Sequence, residues 1–358
     1  MPPSESALTS AAPATGASPA ASADGKATLK KMMNGLSLEP LWEIYANLVT
    51  PEPAGLPPAH QWRWQDMEPV VAKAAEAVGG HDADHRVLVL RNPNLGGRMA
   101  STATIVGAIQ CVMPGERTTP HRHTAAAARV VMEGDGGATY VDGVRCDMLP
   151  GDFVVTPNWT WHNHHIDRRA RTVWLDILDV PLVKQMNAMF GELGVAAPAY
   201  PETIGTLPDA LFERGGLMPV SDRPAVPYTP RFRYAWRDVA AMLEAMPAAP
   251  DGSRAVRYSN PLDGGPVTST LDAVAIQPPA GRFGADRRTT SGGLAVVVEG
   301  NGESRIGDRT IAWGPRDIFT LPEWTWVAHK AEAQGARLIT ITDREIRRRL
   351  GLLREETR

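Results

Sequence analysis

Apolar positions change their period along this chain, and the change separates helices from strands. Leu41, Ile44, Tyr45 and Leu48 recur at helical spacing, with Ser37 placed as a cap and Glu39 and Pro40 in the first turn. Thr50-Pro51-Glu52-Pro53 stops that segment. A second helix is predicted from Asp66 through Val70, Val71, Ala74 and Val78, ended by Gly79-Gly80. From Arg86 the period shortens, and residues 86–90, 104–113, 128–132, 140–146, 153–156 and 172–178 read as strands, with a turn at Asp142-Gly143. Residues 181–193 (Leu182, Met186, Met189, Phe190, Leu193) read as a helix, 195–233 as a linker rich in proline and glycine, and 237–246 as a short helix. Many short strands punctuated by Gly, Pro and Asp argue for a jelly-roll barrel.

The chemistry is concentrated between Gly115 and Asp176. The run opens Gly115-Glu116-Arg117-Thr118-Thr119-Pro120-His121-Arg122-His123 and reaches Gly134 eleven residues past His123. It then continues Gly151-Asp152-Phe153-Val154-Val155-Thr156-Pro157-Asn158-Trp159-Thr160-Trp161-His162. Residues two apart on a strand point the same way, so His121 and His123 face one interior space. His162 joins them if its strand pairs alongside. Three neutral imidazoles suit a borderline transition metal such as Fe or Zn and leave positions open for substrate. Arg129 lies six residues past His123, an even number, so an unbroken strand turns its guanidinium inward as well.

These residues resemble the two cupin motifs, G-x5-H-x-H-x(3,4)-E-x6-G and G-x5-P-x-G-x2-H-x3-N. The matches are Gly115, His121, His123 and Gly134, then Gly151, Pro157 and His162. The motif glutamate falls on Ala127, its late glycine on Trp159 and its final asparagine on Ile166. Pro120 to Thr124, Arg129, Gly151-Asp152-Phe153, Thr156 to His164, Trp174-Leu175-Asp176 and, upstream, Leu41 to Tyr45 and Thr50 to Pro53 resemble the gentisate 1,2-dioxygenase family. That family includes salicylate and 1-hydroxy-2-naphthoate ring-cleaving dioxygenases. The likeness runs over residues 36 to 345 and implies an all-β fold with peripheral helices, a bicupin of two jelly-roll barrels.

The motif frame returns in the second half. Gly281 to Arg287 repeats the spacing of Gly115 to His121 (287 − 121 = 166). Val296 to Gly300 repeats Val130 to Gly134, and Leu321 to Trp326 repeats Thr156 to Trp161. The ligand positions there become Arg287, Thr289 and Val327, so a metal-free, structural second barrel is expected, with His329 in line with His164. The expected division is a disordered tail (1–25), an N-terminal helical segment with the first strands (26–100), a metal-binding cupin barrel (101–194), and a linker with helices (195–250). A degenerate second barrel (251–342) and an arginine-rich C-terminal helix (343–358) complete it.

Composition narrows the function. The 358 residues are 43% hydrophobic and 22% charged with a net charge of −3, a globular balance that does not favour nucleic acid or an anionic membrane. No apolar run is long enough to span a bilayer as a helix, and the Ala-, Pro- and Ser-rich start lacks the features of a signal peptide. Cys111 and Cys146 give no disulfide framework; two buried thiols in a reducing cytoplasm are expected.

The resemblance implies one Fe(II) per subunit held by His121, His123 and His162, and a homotetramer. It implies that Arg129, Gln110, His164 and Asp176 touch substrate, with His164 and Asp176 catalytic. A further arginine before the strand at 88–90 is implied to do so too, for which Arg86 is the candidate against the neighbouring His85. It also implies that the N-terminal part closes over the pocket. The expected reaction joins an aromatic hydroxy acid and O2, cleaving between the carboxyl-bearing and hydroxyl-bearing carbons, with gentisate first and salicylate, chloro- or nitrosalicylate or 1-hydroxy-2-naphthoate as alternatives. The run Ala125 to Ala128 departs from the bulkier residues often found there in gentisate enzymes. A non-catalytic cupin binding protein, and a metal-dependent isomerase or decarboxylase on the same barrel, are the rival classes.

Overall fold

The structure, a computed structural model, describes residues 23–79, 86–167, 169–194 and 229–358. Most of the expected tail and linker, and His85, therefore lie outside the described residues. The chain divides into two compact units between Gly55 and Leu56. The first holds helices α1 (Ala23–Gly35) and α2 (Leu41–Leu48). Residues 23–25 thus belong to a helix rather than to the expected tail. Ser37 does not cap α2: it sits at φ 56 in the turn that ends α1, and Pro40 is the N-cap residue.

The second unit is built of strands, and its first barrel comes from two sheets. One is ordered β12 (Arg233–Tyr234), β8 (Phe153–Thr156), β5 (Ala127–Glu133), β10 (Thr172–Leu178), β3 (Val106–Val112), β2 (Val87–Leu90). The other is ordered β11 (Gly191–Leu193), β4 (His121–His123), β9 (His162–His165), β6 (Gly137–Val141), β7 (Val144–Met148). Asp142 and Gly143, both at positive φ, make the tight β6–β7 turn, the geometry that a two-residue hairpin favours. Alternation divides the first sheet cleanly. Val173, Leu175 and Ile177 of β10 join a buried cluster with Leu294, Val296, Ile339 and Ile341 of the second barrel, whereas Trp174 and Asp176 turn the other way, into the first barrel. Gly107 of β3 lies on that shared face, where an added Cβ would stand 2.7 Å from Leu294 Cδ1.

The second barrel is one nine-stranded sheet, dominated by β16 (Gly293–Ile306) and β19 (Val327–Thr342). Around them lie β13 (Arg254–Arg257), β14 (Asp272–Gln277), β15 (Arg287–Thr289), β17 (Arg309–Trp313), β18 (Ile318–Leu321), β20 (Glu355–Thr357) and β1 (Gln61–Trp62). The repeat seen in the sequence holds in register. His121 pairs with His162, and Arg287 with Val327.

The barrels exchange their leading segments. β1 pairs with β18 of the second barrel, while α3 (Trp64–Ala77), directly after it, packs on β3 of the first. Conversely, β12 pairs with β8 of the first barrel, and α5 (Trp236–Ala245), after it, packs on β13 and β14 of the second. Both helices start on an aspartate borrowed from the barrel that their strand joins. Asp317 Oδ1 accepts from Trp64 N at 2.7 Å, and Asp152 Oδ1 from Trp236 N at 2.9 Å.

Two expected helices are shorter than their apolar spacing suggests. Residues 181–193 give only α4 (Val180–Gln185) and then β11; residues 343–358 give only α6 (Arg344–Arg349) and then β20. In each case the chain turns back to add an edge strand, β11 beside β4 and β20 beside β15.

Candidate active site

The three histidines meet between the sheets of the first barrel. Their ligand atoms lie within 4.8 Å of one another, the one such group of three or more His, Cys, Asp or Glu among the described residues. His121 and His123 come from alternate positions of β4, and His162 starts β9 opposite His121. Each Nδ1 is spent on a backbone carbonyl: His121 on Thr119 O (2.9 Å), His123 on Ala125 O (2.7 Å), His162 on Thr160 O (3.0 Å). A carbonyl only accepts, so each Nδ1 carries the proton and each Nε2 presents a lone pair. Burial lowers His123 to about 4 and holds His162 well below its ordinary value, with the neighbouring His121 and Arg129 adding to the effect. His162 Nε2 is buried and without a hydrogen-bond partner. A buried polar atom left this way, aimed at two further lone pairs, fits a divalent metal ion.

Across the cavity stands a buried charge pair. Arg129 Nε approaches Asp176 Oδ1 at 2.8 Å, a contact without the alignment of a hydrogen bond. Arg129 also bonds Thr156 Oγ1, and Trp174 Nε1 donates to Asp176 Oδ2 at 2.8 Å. β5 and β10 place these groups by register, Arg129 opposite Asp176. Burial pushes the Asp176 carboxyl up, and the Arg129 charge and the Trp174 indole pull it back. Arg129 Nη2 makes no hydrogen bond among the described residues, so the guanidinium offers a substrate anion one terminal nitrogen, not the full fork.

His164, one alternate position beyond His162, is 1% exposed. Its Nδ1 meets Thr139 Oγ1 at 2.8 Å, its ring packs on Trp174 with centroids 4.6 Å apart, and burial keeps it neutral. His165 turns away to Asn163 and Tyr140. Gln110 of β3 is registered with Trp174 and faces the same cavity. The alanine run is fully buried; Ala125 O holds His123, Ala126 N donates to Asp179, and Ala127 shares the inward side with Arg129.

Arg86 is not brought to the pocket. Val87 is the residue in register with Gln110, so Arg86 falls on the opposite face, where it forks Glu116 at 2.8 Å and bonds Val78 O and Cys111 O. Sequence reasoning missed Thr139 and Thr156 as partners of His164 and Arg129. Only their strand register could have pointed to them.

Over the rim, Arg122 stacks on Trp159 (4.4 Å) and Trp161 (4.8 Å) and pairs with Glu192 of β11. The second barrel repeats this arrangement with Arg288 over Trp324 and Trp326, paired with Glu356 of β20.

Two strand sheets enclosing three convergent imidazoles define a cupin, and a family model described as "Cupin domain" matches residues 108–178. The chain is 33% identical over 327 residues to gentisate 1,2-dioxygenase 1 of Aquipseudomonas alcaligenes, covering 89% of this chain and 92% of that one. It is 34% identical over 319 residues to a 1-hydroxy-2-naphthoate 1,2-dioxygenase of a Nocardioides species, covering 86% and 80%. The crystal structure of a salicylate 1,2-dioxygenase from Pseudaminobacter salicylatoxidans superposes with a TM-score of 0.83 at 30% identity, over 92% of this chain and 96% of that one. The chain belongs to the gentisate 1,2-dioxygenase family of ring-cleaving dioxygenases.

Proposed function

We propose that this protein is an Fe(II)-dependent dioxygenase that opens a hydroxybenzoate between its carboxyl-bearing and adjacent hydroxyl-bearing carbons, with gentisate, converted to maleylpyruvate, as the first substrate. The observation that carries this reading is the convergence of His121, His123 and His162, with ligand atoms within 4.8 Å of one another, beside the buried Arg129 guanidinium. His121, His123 and His162 would hold the iron, one per subunit. When bound, iron(II) supplies open positions where the acid and dioxygen meet and through which electron density passes from ring to oxygen.

The chain's own groups do the rest. Three imidazoles bring no negative charge, so the site favours an anionic, chelating acid over a neutral one. Arg129 Nη2 takes a carboxylate oxygen, and Asp176, fixed by Trp174, holds the guanidinium in place. His164, its Nδ1 held by Thr139, has Nε2 left to receive or return a proton at the ring hydroxyl. The buried walls exclude water. Both atoms of O2 end in the product, so no outside reductant is needed.

A larger or substituted substrate is the second reading, for salicylates bearing chloro or nitro groups or for 1-hydroxy-2-naphthoate. Ala108 and Ala127, small side chains on the cavity side of β3 and β5, support it. Cys111 and Cys146, buried and not joined in a disulfide, are in keeping with a cytoplasmic location, and the family resemblance with a homotetramer. The test is turnover under 18O2 of gentisate, salicylate, 5-nitrosalicylate and 1-hydroxy-2-naphthoate. A ring-opened product four mass units heavier is expected with one of them when it is trapped before its keto oxygen exchanges with water; a ring-opened product carrying no 18O, or no ring-opened product from any of them, refutes the reading.

A further inference from the structure

The second barrel holds a solvent-open cavity of about 760 Å3 in the position that the three-histidine pocket has in the first. Register converts its walls residue by residue. Val274 and Ile276 of β14, opposite Thr340 and Leu338, stand where Ala108 and Gln110 stand opposite Asp176 and Trp174. Ala295, opposite Thr340, stands in the place of Arg129. The counterparts of Arg129, Asp176 and the three histidines are gone, and the wall mixes apolar side chains with the hydroxyls of Thr289, Ser291, Thr325 and Thr340. One polar group is kept. His329 lies two residues past Val327 and opposite Ser304, as His164 lies two past His162 and opposite Thr139.

That histidine is held in one form. Trp313 Nε1 donates to Ser304 Oγ at 2.8 Å, and Ser304 Oγ meets His329 Nδ1 at 2.7 Å. Trp313 Nε1 can only donate, and His329 Nδ1 is the one acceptor within reach of the Ser304 hydroxyl proton among the described residues, so the hydroxyl donates to Nδ1 and the ring proton sits on Nε2. Burial lowers this imidazole to about 4, so it is neutral near pH 7. Nε2–H makes no hydrogen bond among the described residues, and His329 lines the cavity. A fixed neutral donor that faces the cavity is placed to meet a ligand's acceptor.

The charges around the cavity give the acceptor's sign. Glu355 and Glu356 on the adjoining strand are taken by Arg344 and Arg288. Asp251 is occupied by Ser253 N, Ser253 Oγ and Ala285 N, and reaches Arg287 only at 3.7 Å. Arg254 donates to Met246 O and has no acid partner among the described residues. Arg254, with no acid partner among the described residues, and Arg287, answered by Asp251 at 3.7 Å and by the nearby charge of Glu355, thus overlook a cavity whose interior donor is neutral.

We propose that the second barrel is a metal-free binding site for a small apolar monocarboxylate, its carboxylate accepting from His329 Nε2 and drawn by Arg287, its body against Val274 and Ile276. No bond is made or broken there. The site is separate from the three-imidazole pocket, so its failure would leave the ring-cleavage reading untouched.

The probe is 4-bromobenzoate with the iron-loaded full chain, kept anaerobic. Crystals are expected to show a bromine anomalous peak inside the second barrel, whatever the first barrel binds. Calorimetric titration is expected to lose one binding event, or weaken it on the order of tenfold, in His329→Phe, with iron content and the first-barrel event unchanged. Ile276→Phe, which fills the cavity and keeps His329, guards against a fold defect and should lose the same event. Bromine in the first barrel only, a titration insensitive to both fillings, or density seen at crystal concentration with no event in solution would each overturn the proposal.

Discussion

Arg129 and Asp176 carry the residue-scale argument, because each is buried and each answers the other's charge. Asp176→Asn leaves a buried guanidinium without its counter-ion, and removing one member of a buried pair costs roughly 3–5 kcal/mol. A lowered denaturation midpoint of that size is expected, together with loss of activity. Arg129→Lys keeps the charge but cannot hold Asp176 and Thr156 while reaching a substrate, so kcat/KM should fall by about two orders of magnitude with the iron content unchanged. Steady-state kinetics with metal analysis checks this, and unchanged kcat/KM would remove Arg129 from substrate binding. The histidines were legible in the sequence because an H-x-H spacing on a strand has only one geometric outcome. Arg86 was not, because a one-residue uncertainty in register moves a strand side chain to the opposite face. Thr139 and Thr156 carry no local signal at all; only pairing brings them to His164 and Arg129.

At the scale of elements, the departures from the cupin motifs acquire physical reasons. The late motif glycine falls on Trp159, which sits at φ 63, and the repeat puts Trp324 at φ 48. A left-handed backbone is what glycine would serve, and a bulky residue there costs on the order of 1–2 kcal/mol. The tryptophan is retained against that cost and packs its ring on Arg122 and Phe190. Trp159→Ala keeps the strain and loses the ring, whereas Trp159→Gly loses both. Denaturant melts should therefore find the alanine variant less stable than the glycine variant by about 1 kcal/mol, an unusual order that an αR or β backbone at this position would reverse. The strands were readable from alternation, and 153–156 and 172–178 were placed without error. Residues 181–193 read as a helix because their apolar spacing fits one, yet Met186, Met189, Phe190 and Leu193 are exposed and Asn187 at φ 55 breaks the run.

For the whole molecule, the exchange of β1–α3 and β12–α5 makes the two barrels interdependent. The sequence repeat showed two barrels but could not show which one each connecting segment would join, since a two-residue strand has no period to read. A fragment of residues 1–194 would keep His121, His123 and His162 and lose both β12 and the sheet against which Leu175 and Ile177 pack. It is expected to show no cooperative thermal transition; a sharp one would mean the first barrel stands alone. Acid should weaken the intact protein through the imidazoles that folding desolvates. His329 has a folded pKa of about 4 against 6.5 for an exposed histidine, so protons favour the unfolded chain. Its share of stability is complete above pH 6.5 and declines as pH falls towards 4, by up to ~1.4 kcal/mol per pH unit. Unfolding free energies of His329→Phe should therefore depend less on pH across that window than those of the parent, and equal slopes would show the imidazole to be solvated.

The central claim is that the three imidazoles of the first barrel hold the iron at which an ortho-hydroxy aromatic acid meets dioxygen. Its most direct test is oxygen uptake by anaerobically iron-loaded protein offered gentisate, salicylate, 5-nitrosalicylate and 1-hydroxy-2-naphthoate in turn. One O2 consumed per molecule of one of these acids, abolished by His121→Ala, is the predicted result. No uptake with any of them while iron stays bound would contradict it.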